Sequence, residues 1–74
     1  MTVDEIIKRE AISMGRPCEL IDYAHLEEDV IAVVYSVEPF VFGDYRQEQI
    51  RAVFYAGDTQ LSSSIVRTDG RPGG

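Results

Sequence analysis

The sequence predicts an α+β domain, an N-terminal amphipathic helix packed on an antiparallel β-meander of three to five strands. Three observations predict it. A helix-capping signal followed by a helical apolar stripe opens the chain. A β-branched run, Val30 to Val37, occupies the middle. A stretch that alternates every two residues, Gln49 to Ala56, comes after it. A helix with one apolar stripe and a sheet with an apolar face each need a second layer, and each supplies it to the other.

Thr2-Val3-Asp4-Glu5 reads as a capping box, in which the Thr2 hydroxyl accepts from the Glu5 amide and the Glu5 carboxylate reaches back to the Thr2 amide. Apolar side chains then recur at Val3, Ile6, Ile7, Ala11 and Met14, one face of a helix over residues 3–14. Gly15 suits the C-terminal cap, and Pro17 prevents continuation.

Residues 18–26 fit either a strand, with Ile21, Tyr23 and His25 on one face, or a helix; their shortness favours the strand. Glu27-Glu28-Asp29 makes a charged turn. Val30 to Val37 is apolar on both faces, with Ile31, Val33, Tyr35 and Val37 forming the stronger one, which predicts a central strand. Glu38-Pro39 interrupts it, because proline cannot donate to a ladder. Phe40 to Phe42 continues along an edge to a bend at Gly43-Asp44.

In the next strand Ile50, Ala52, Phe54 and Ala56 face one way, and Gln49, Arg51, Val53 and Tyr55 the other. Phe54 is expected in the core and Tyr55 on the surface. After a Gly57-Asp58 turn, Thr59 to Arg67 forms the last strand, with Leu61 and Ile65 inward. One domain is expected over residues 1–67, followed by a flexible tail over 68–74. The layout is similar to several small domain types, cystatin-like ones among them. That likeness carries no motif, so it implies no function.

Composition narrows the function classes. The chain has 74 residues, 13 acids against 7 Lys and Arg, and a net charge of -6. Direct contact with nucleic-acid phosphates needs clustered cations, so it is not expected. The longest apolar run has eight residues, Val30 to Val37, against the ~20 of a membrane helix. The opening Met1 to Glu5 is acidic, unlike a signal peptide. One cysteine makes no internal disulfide, which together predicts a cytoplasmic protein.

The charge is polarised along the chain. Residues 1–30 hold eight acids and three bases, whereas residues 31–74 hold five and four. Glu19, Asp22, Glu27, Glu28 and Asp29 lie in a stretch without Lys or Arg, and such acids can imitate phosphates on a basic protein surface. Tyr45 and Tyr55 are the aromatic candidates for the same contact, tyrosine being common at interface hot spots. The aromatics and cations among Phe40, Phe42, Tyr45, Arg46, Arg51 and Tyr55 also permit base stacking, which the net charge opposes.

Asp22, His25 and Cys18 are the residues from which a weak ligand site or a small enzyme would be built: Asp22 and His25 with Glu28, at a spacing of three that a helix would bring together, as metal ligands, and Cys18 with His25 as a thiolate–imidazole pair. The phosphate loops and hydrolase motifs of enzymes are missing, and no cofactor or metal site is expected. Gly73-Gly74 is similar to the end of ubiquitin-like carriers, but those begin with a hairpin rather than a helix.

The predicted function is a small acidic non-catalytic protein-binding module. It would act as an inhibitor or adaptor that docks on a basic surface of nucleic-acid-handling machinery, of the phage- or plasmid-borne anti-defence kind. Two alternatives stand beside it. One is a structural subunit that forms a homodimer through a sheet edge, and the other is the weak ligand binder or small enzyme.

Overall fold

The computed structural model describes residues 1–72, with side chains for all of these except Phe40, Phe42 and residues 69–72. The chain forms α1 (Val3–Met14), β1 (Cys18–His25), β2 (Val30–Phe42), β3 (Tyr45–Ala56) and β4 (Thr59–Pro72). The four strands make one antiparallel sheet in the order β1-β2-β3-β4. The helix covers part of one face.

Both helix ends arise from the local sequence. Thr2 adopts extended backbone as N-cap, and the capping box is complete. The Glu5 amide donates to Thr2 Oγ1 at 3.2 Å, and the Thr2 amide donates to Glu5 Oε1 at 3.1 Å. These bonds hold the Glu5 carboxyl below its ordinary value of 4.5. Their contribution to stability is therefore present at neutral pH and is lost as pH falls through the lowered value. At the other end Gly15 is left-handed, with φ 69°, and its amide donates to the Ala11 carbonyl at 2.9 Å.

A β-carbon on Gly15 would meet nothing within 4 Å, so only the backbone conformation penalises a side chain there. Gly15→Val is expected to cost about 1–2 kcal/mol. In a domain this small that lowers the melting temperature by about 4–15 °C, which thermal circular dichroism would detect.

Register explains which sheet face the helix takes. Ile31, Val33, Tyr35 and Val37 of β2 face α1, and Val33, Tyr35 and Val37 are fully buried with Ile6, Val53 and Tyr55. Paired residues of an antiparallel ladder share a face. Val33 pairs with Val53 and Ile31 with Tyr55, so Gln49, Arg51, Val53 and Tyr55 lie on the helix side. That overturns two expectations. Tyr55 is a core residue, 1% exposed, rather than a surface aromatic. Phe54 lies on the opposite face, away from the helix.

Four β-bulges, each an unpaired residue or pair, shift the remaining strands. The ladder slips between Leu20 and Asp22, leaving Ile21 unpaired, so Leu20, Tyr23 and His25 share the helix side instead of Ile21, Tyr23 and His25. A second slip comes after Val37 and absorbs Glu38-Pro39 without ending β2. Two more in β4 leave Leu61 and Val66 unpaired. Leu61, expected inward, is 56% exposed, whereas Ile65, opposite Arg51, does lie on the helix side and is 53% exposed because α1 packs on β1 and β2 and not on β4. A bulge moves every later side chain of its strand to the other face, which composition alone cannot register.

Two-residue hairpin loops join the long strands. Gly43 and Gly57 take φ of 56° and 59°, while among the described residues no other residue type has positive φ. That is the type II′ pattern, in which only the first loop residue is left-handed. β4 pairs with β3 as far as Pro72, opposite Tyr45. The strand thus passes the boundary expected at residue 67, because the partner strand β3 supplies backbone groups for residues that have no apolar side chains to bury. Gly73-Gly74 lies outside the described residues, as do the expected contacts of the Phe40 and Phe42 side chains.

Candidate functional site

Two features of the fold are chemically distinctive. The first lies under the helix. Glu10 falls in the middle of the apolar stripe of α1 and is 4% exposed. Its carboxylate accepts from the Tyr35 hydroxyl at 2.7 Å and from the Tyr55 hydroxyl at 2.9 Å, one bond to each oxygen. Arg51 Nε donates to the Tyr35 oxygen at 3.3 Å. Arg9 closes the edge of the cluster, 5.7 Å from the Tyr55 ring and donating to the Asp58 carbonyl at 2.7 Å.

Burial, then the bond to Glu10, holds the Tyr35 hydroxyl far above the usual tyrosine value, against the smaller opposing pull of Arg51. Tyr55 is raised for the same two reasons. The Cys18 thiol is also raised, by burial and the nearby Glu10 charge. A raised thiol makes a poor nucleophile.

These shifts set an alkaline limit. With folded values above the ordinary 10.0, the unfolded chain loses its phenolic protons first. The stabilising contribution is complete below pH 10 and declines as pH rises through the folded values. Denaturant unfolding is expected to show a first decline above pH 9, where the unfolded Cys18 thiol ionises, and a steeper fall above pH 10. The Tyr35→Phe/Tyr55→Phe variant, starting lower, would show a shallower fall. An equal slope in both proteins would rule out these two hydroxyls as its source.

The second feature is the sheet face opposite the helix. Register arranges it in four transverse rows. Glu19, Ser36, Ile50 and Arg67 form one, and Asp22, Val34, Ala52 and Ser64 the next. Ala24, Ala32, Phe54 and Ser62 form the third, and Val30, Ala56 and Thr59 the fourth. The central strands thus contribute Val30, Ala32, Val34, Ile50, Ala52, Phe54 and Ala56, all half-buried by their own sheet neighbours. Among the described residues no element packs over them. An antiparallel sheet with one solvated face ordinarily alternates apolar-in and polar-out. Here β2 and β3 are largely apolar on the face that no helix covers.

The predicted contact residues fall in separate places. Glu19 and Asp22 stand on β1 at the rim of the open face. Glu27, Glu28 and Asp29 sit in the β1–β2 turn, beside the β3–β4 turn, where the Gly57 amide donates to the Asp29 carbonyl at 3.0 Å. Tyr45 is exposed at the start of β3, at the opposite end of the sheet. The five acids therefore do not make one surface.

The Asp22, His25 and Cys18 set is not assembled. Cys18 and His25 occupy opposite ends of β1, and Asp22 lies on the other face from both. His25 instead meets Tyr23 edge-on, with ring centroids 6.0 Å apart. Among the described residues no group of three or more His, Cys, Asp and Glu is placed to hold a metal ion. A cleft of about 580 Å³ opens where β1 begins beside the β2 bulge, with Cys18, Glu19, Glu38, Arg46, Glu48 and Gln49 in its wall. Arg46 is held by Glu48 at 3.1 Å.

Reading by strand alternation missed Glu10 and the open face alike. The only signal for Glu10 was its position, four residues after Ile6 and four before Met14. No helix among the described residues is long and apolar enough to cross a membrane. Comparison with protein-family models, curated proteins and solved structures finds no match to this chain.

Proposed function

We propose that this chain is a small non-catalytic protein-interaction module whose docking surface is the uncovered face of its sheet. The observation that carries the reading is the apolar stripe of β2 and β3 on the side that has no second layer. A patch of this kind with a polar rim is the usual mark of a protein contact. Glu19 and Asp22 on one rim favour a partner that brings a cation to that edge. The non-catalytic part is supported by the roofing of the Glu10–Tyr35–Tyr55 cluster beneath the helix, away from a substrate's approach.

A second, electrostatic reading is favoured by the two adjoining turns. They gather Glu27, Glu28, Asp29 and Asp58 at one end of the sheet, which suits steering toward a basic surface, such as an inhibitor or adaptor of nucleic-acid-handling machinery would meet.

Affinity capture with three baits separates the two. The open-face reading predicts that Ala52→Lys loses the partners of the wild type and that Glu28→Lys keeps them. The reverse pattern would support the electrostatic reading and remove the first.

A further inference from the structure

We propose that the occupant of the open face is a second copy of this chain, stacked face to face about a dyad that runs along the strands between β2 and β3. The proposal rests on the reading of that face as a docking surface and names what docks there.

Side-chain size carries the argument. In each transverse row one central position is large and its neighbour small. Ser36 stands beside Ile50, Val34 beside Ala52, Ala32 beside Phe54, and Val30 beside Ala56. A dyad between β2 and β3 lays β2 of one copy over β3 of the other. Every large side chain then meets a small one. Ile50 faces the partner's Ser36, Val34 faces the partner's Ala52, and Phe54 faces the partner's Ala32. Alternation of large and small across facing positions is what lets two layers interdigitate without voids. A dyad across the strands would instead lay each strand over its own copy and would lose that register.

Charge agrees with the same axis. The first row runs from Glu19 on β1 to Arg67 on β4. The dyad reverses the row, so Glu19 of each copy meets the partner's Arg67, twice per dimer. In the second row Asp22 comes over the partner's Ser64 hydroxyl. The residues at the centre carry no charge, in keeping with the depletion of charged residues at interface cores.

The area is sufficient. Four strands ~4.8 Å apart, over about eight residues of ~3.3 Å, span roughly 500 Å² per copy before side-chain relief. A pair buries about 1,000 Å², the lower bound for a specific interface. Twisted sheets pack with strands about 30° apart, an angle that a dyad along the mean strand direction accommodates.

Sedimentation equilibrium on the full chain, from micromolar to millimolar concentration, tests the proposal. The expected mass at the upper end is twice 8.3 kDa. Glu19→Arg or Arg67→Glu alone sets like charges opposite each other at two points and should weaken the dimer about tenfold. The double variant Glu19→Arg/Arg67→Glu restores the pairs and should recover wild-type affinity. Both sites are exposed, and thermal melting of each variant checks that the fold is kept.

A mass of 8.3 kDa throughout, or a dimer that ignores both reversals, would overturn the proposal. If that monomer still captured another protein in an Ala52→Lys-sensitive way, the second copy would be wrong and the open-face reading would stand. A dimer untouched by Ala52→Lys would overturn the second copy, and partner capture untouched by Ala52→Lys would overturn the open-face reading as well.

Discussion

Glu10→Ala is expected to lower the stability of this domain by about 2–5 kcal/mol. The substitution leaves the Tyr35 and Tyr55 hydroxyls, on fully buried side chains, without their acceptor. Each buried donor left unsatisfied costs about 1–3 kcal/mol. The total stability of a 74-residue chain is only ~4–11 kcal/mol, so the variant would lose a large fraction of it. The melting temperature should fall by about 10–30 °C.

Substituting the partners as well tells a lost network from a lost volume. Replacing both sides of a buried hydrogen bond by apolar groups is close to neutral. Glu10→Leu/Tyr35→Phe/Tyr55→Phe should therefore recover most of what Glu10→Ala loses. Glu10→Gln keeps one carbonyl acceptor and should fall between them. Equal losses in Glu10→Ala and the triple variant would show that packing, rather than the hydroxyls, sets the cost.

Ala52→Lys is the second large expectation, and its effect is on association rather than folding. Ala52 lies at the centre of the open face, between Val34 and Ser64. In the isolated chain a lysine there projects into water and costs little. In the stacked dimer it would sit under the partner's Val34, where a charge has no counter-ion and its desolvation is unreturned. The dimer is expected to weaken more than a hundredfold, with a dilute-solution melting temperature within a few degrees of wild type. Because dimerisation adds stability by mass action, wild type should also melt higher as concentration rises, and Ala52→Lys should not.

Much of the framework was legible in the sequence. The Thr2–Glu5 capping box, the stripe from Val3 to Met14 and the Gly15 cap are local signals, and local contacts produce the helix. The apolar face from Ile31 to Val37 was equally readable. Its strand lies inside the sheet, as two apolar faces predict. The α+β arrangement with a meander comes from those elements and the short loops between them.

The assignment of faces failed for β3, for Ile21 of β1 and for Leu61 of β4, and each time for want of the pairing. Alternation says that Val53 and Phe54 point opposite ways, but only the pairing of Val33 with Val53 says which one meets the helix. The more apolar set, Ile50 to Ala56, was expected inward. The mixed set is inside instead, because Glu10 supplies an acceptor for its Tyr55 and for the neighbouring Tyr35. The bulges at Ile21, Leu61 and Val66 are long-range pairing events that reverse the phase of the strand residues beyond them, and their residue types carry no mark of it. The candidate site stayed hidden for that reason. The open face becomes visible only once the helix is known to cover the other one.

Isotope-filtered NOE spectroscopy on an equimolar mixture of labelled and unlabelled chains tests the central claim most directly. Contacts passing the filter arise between copies and not within one. The stacked arrangement predicts filtered contacts from the Phe54 ring to the Ala32 methyl and from the Val34 methyls to the Ala52 methyl. Filtered contacts confined to the exposed helix residue Ile12 or to the edge residues Ile21 and Leu61 would contradict it, as would none at millimolar concentration.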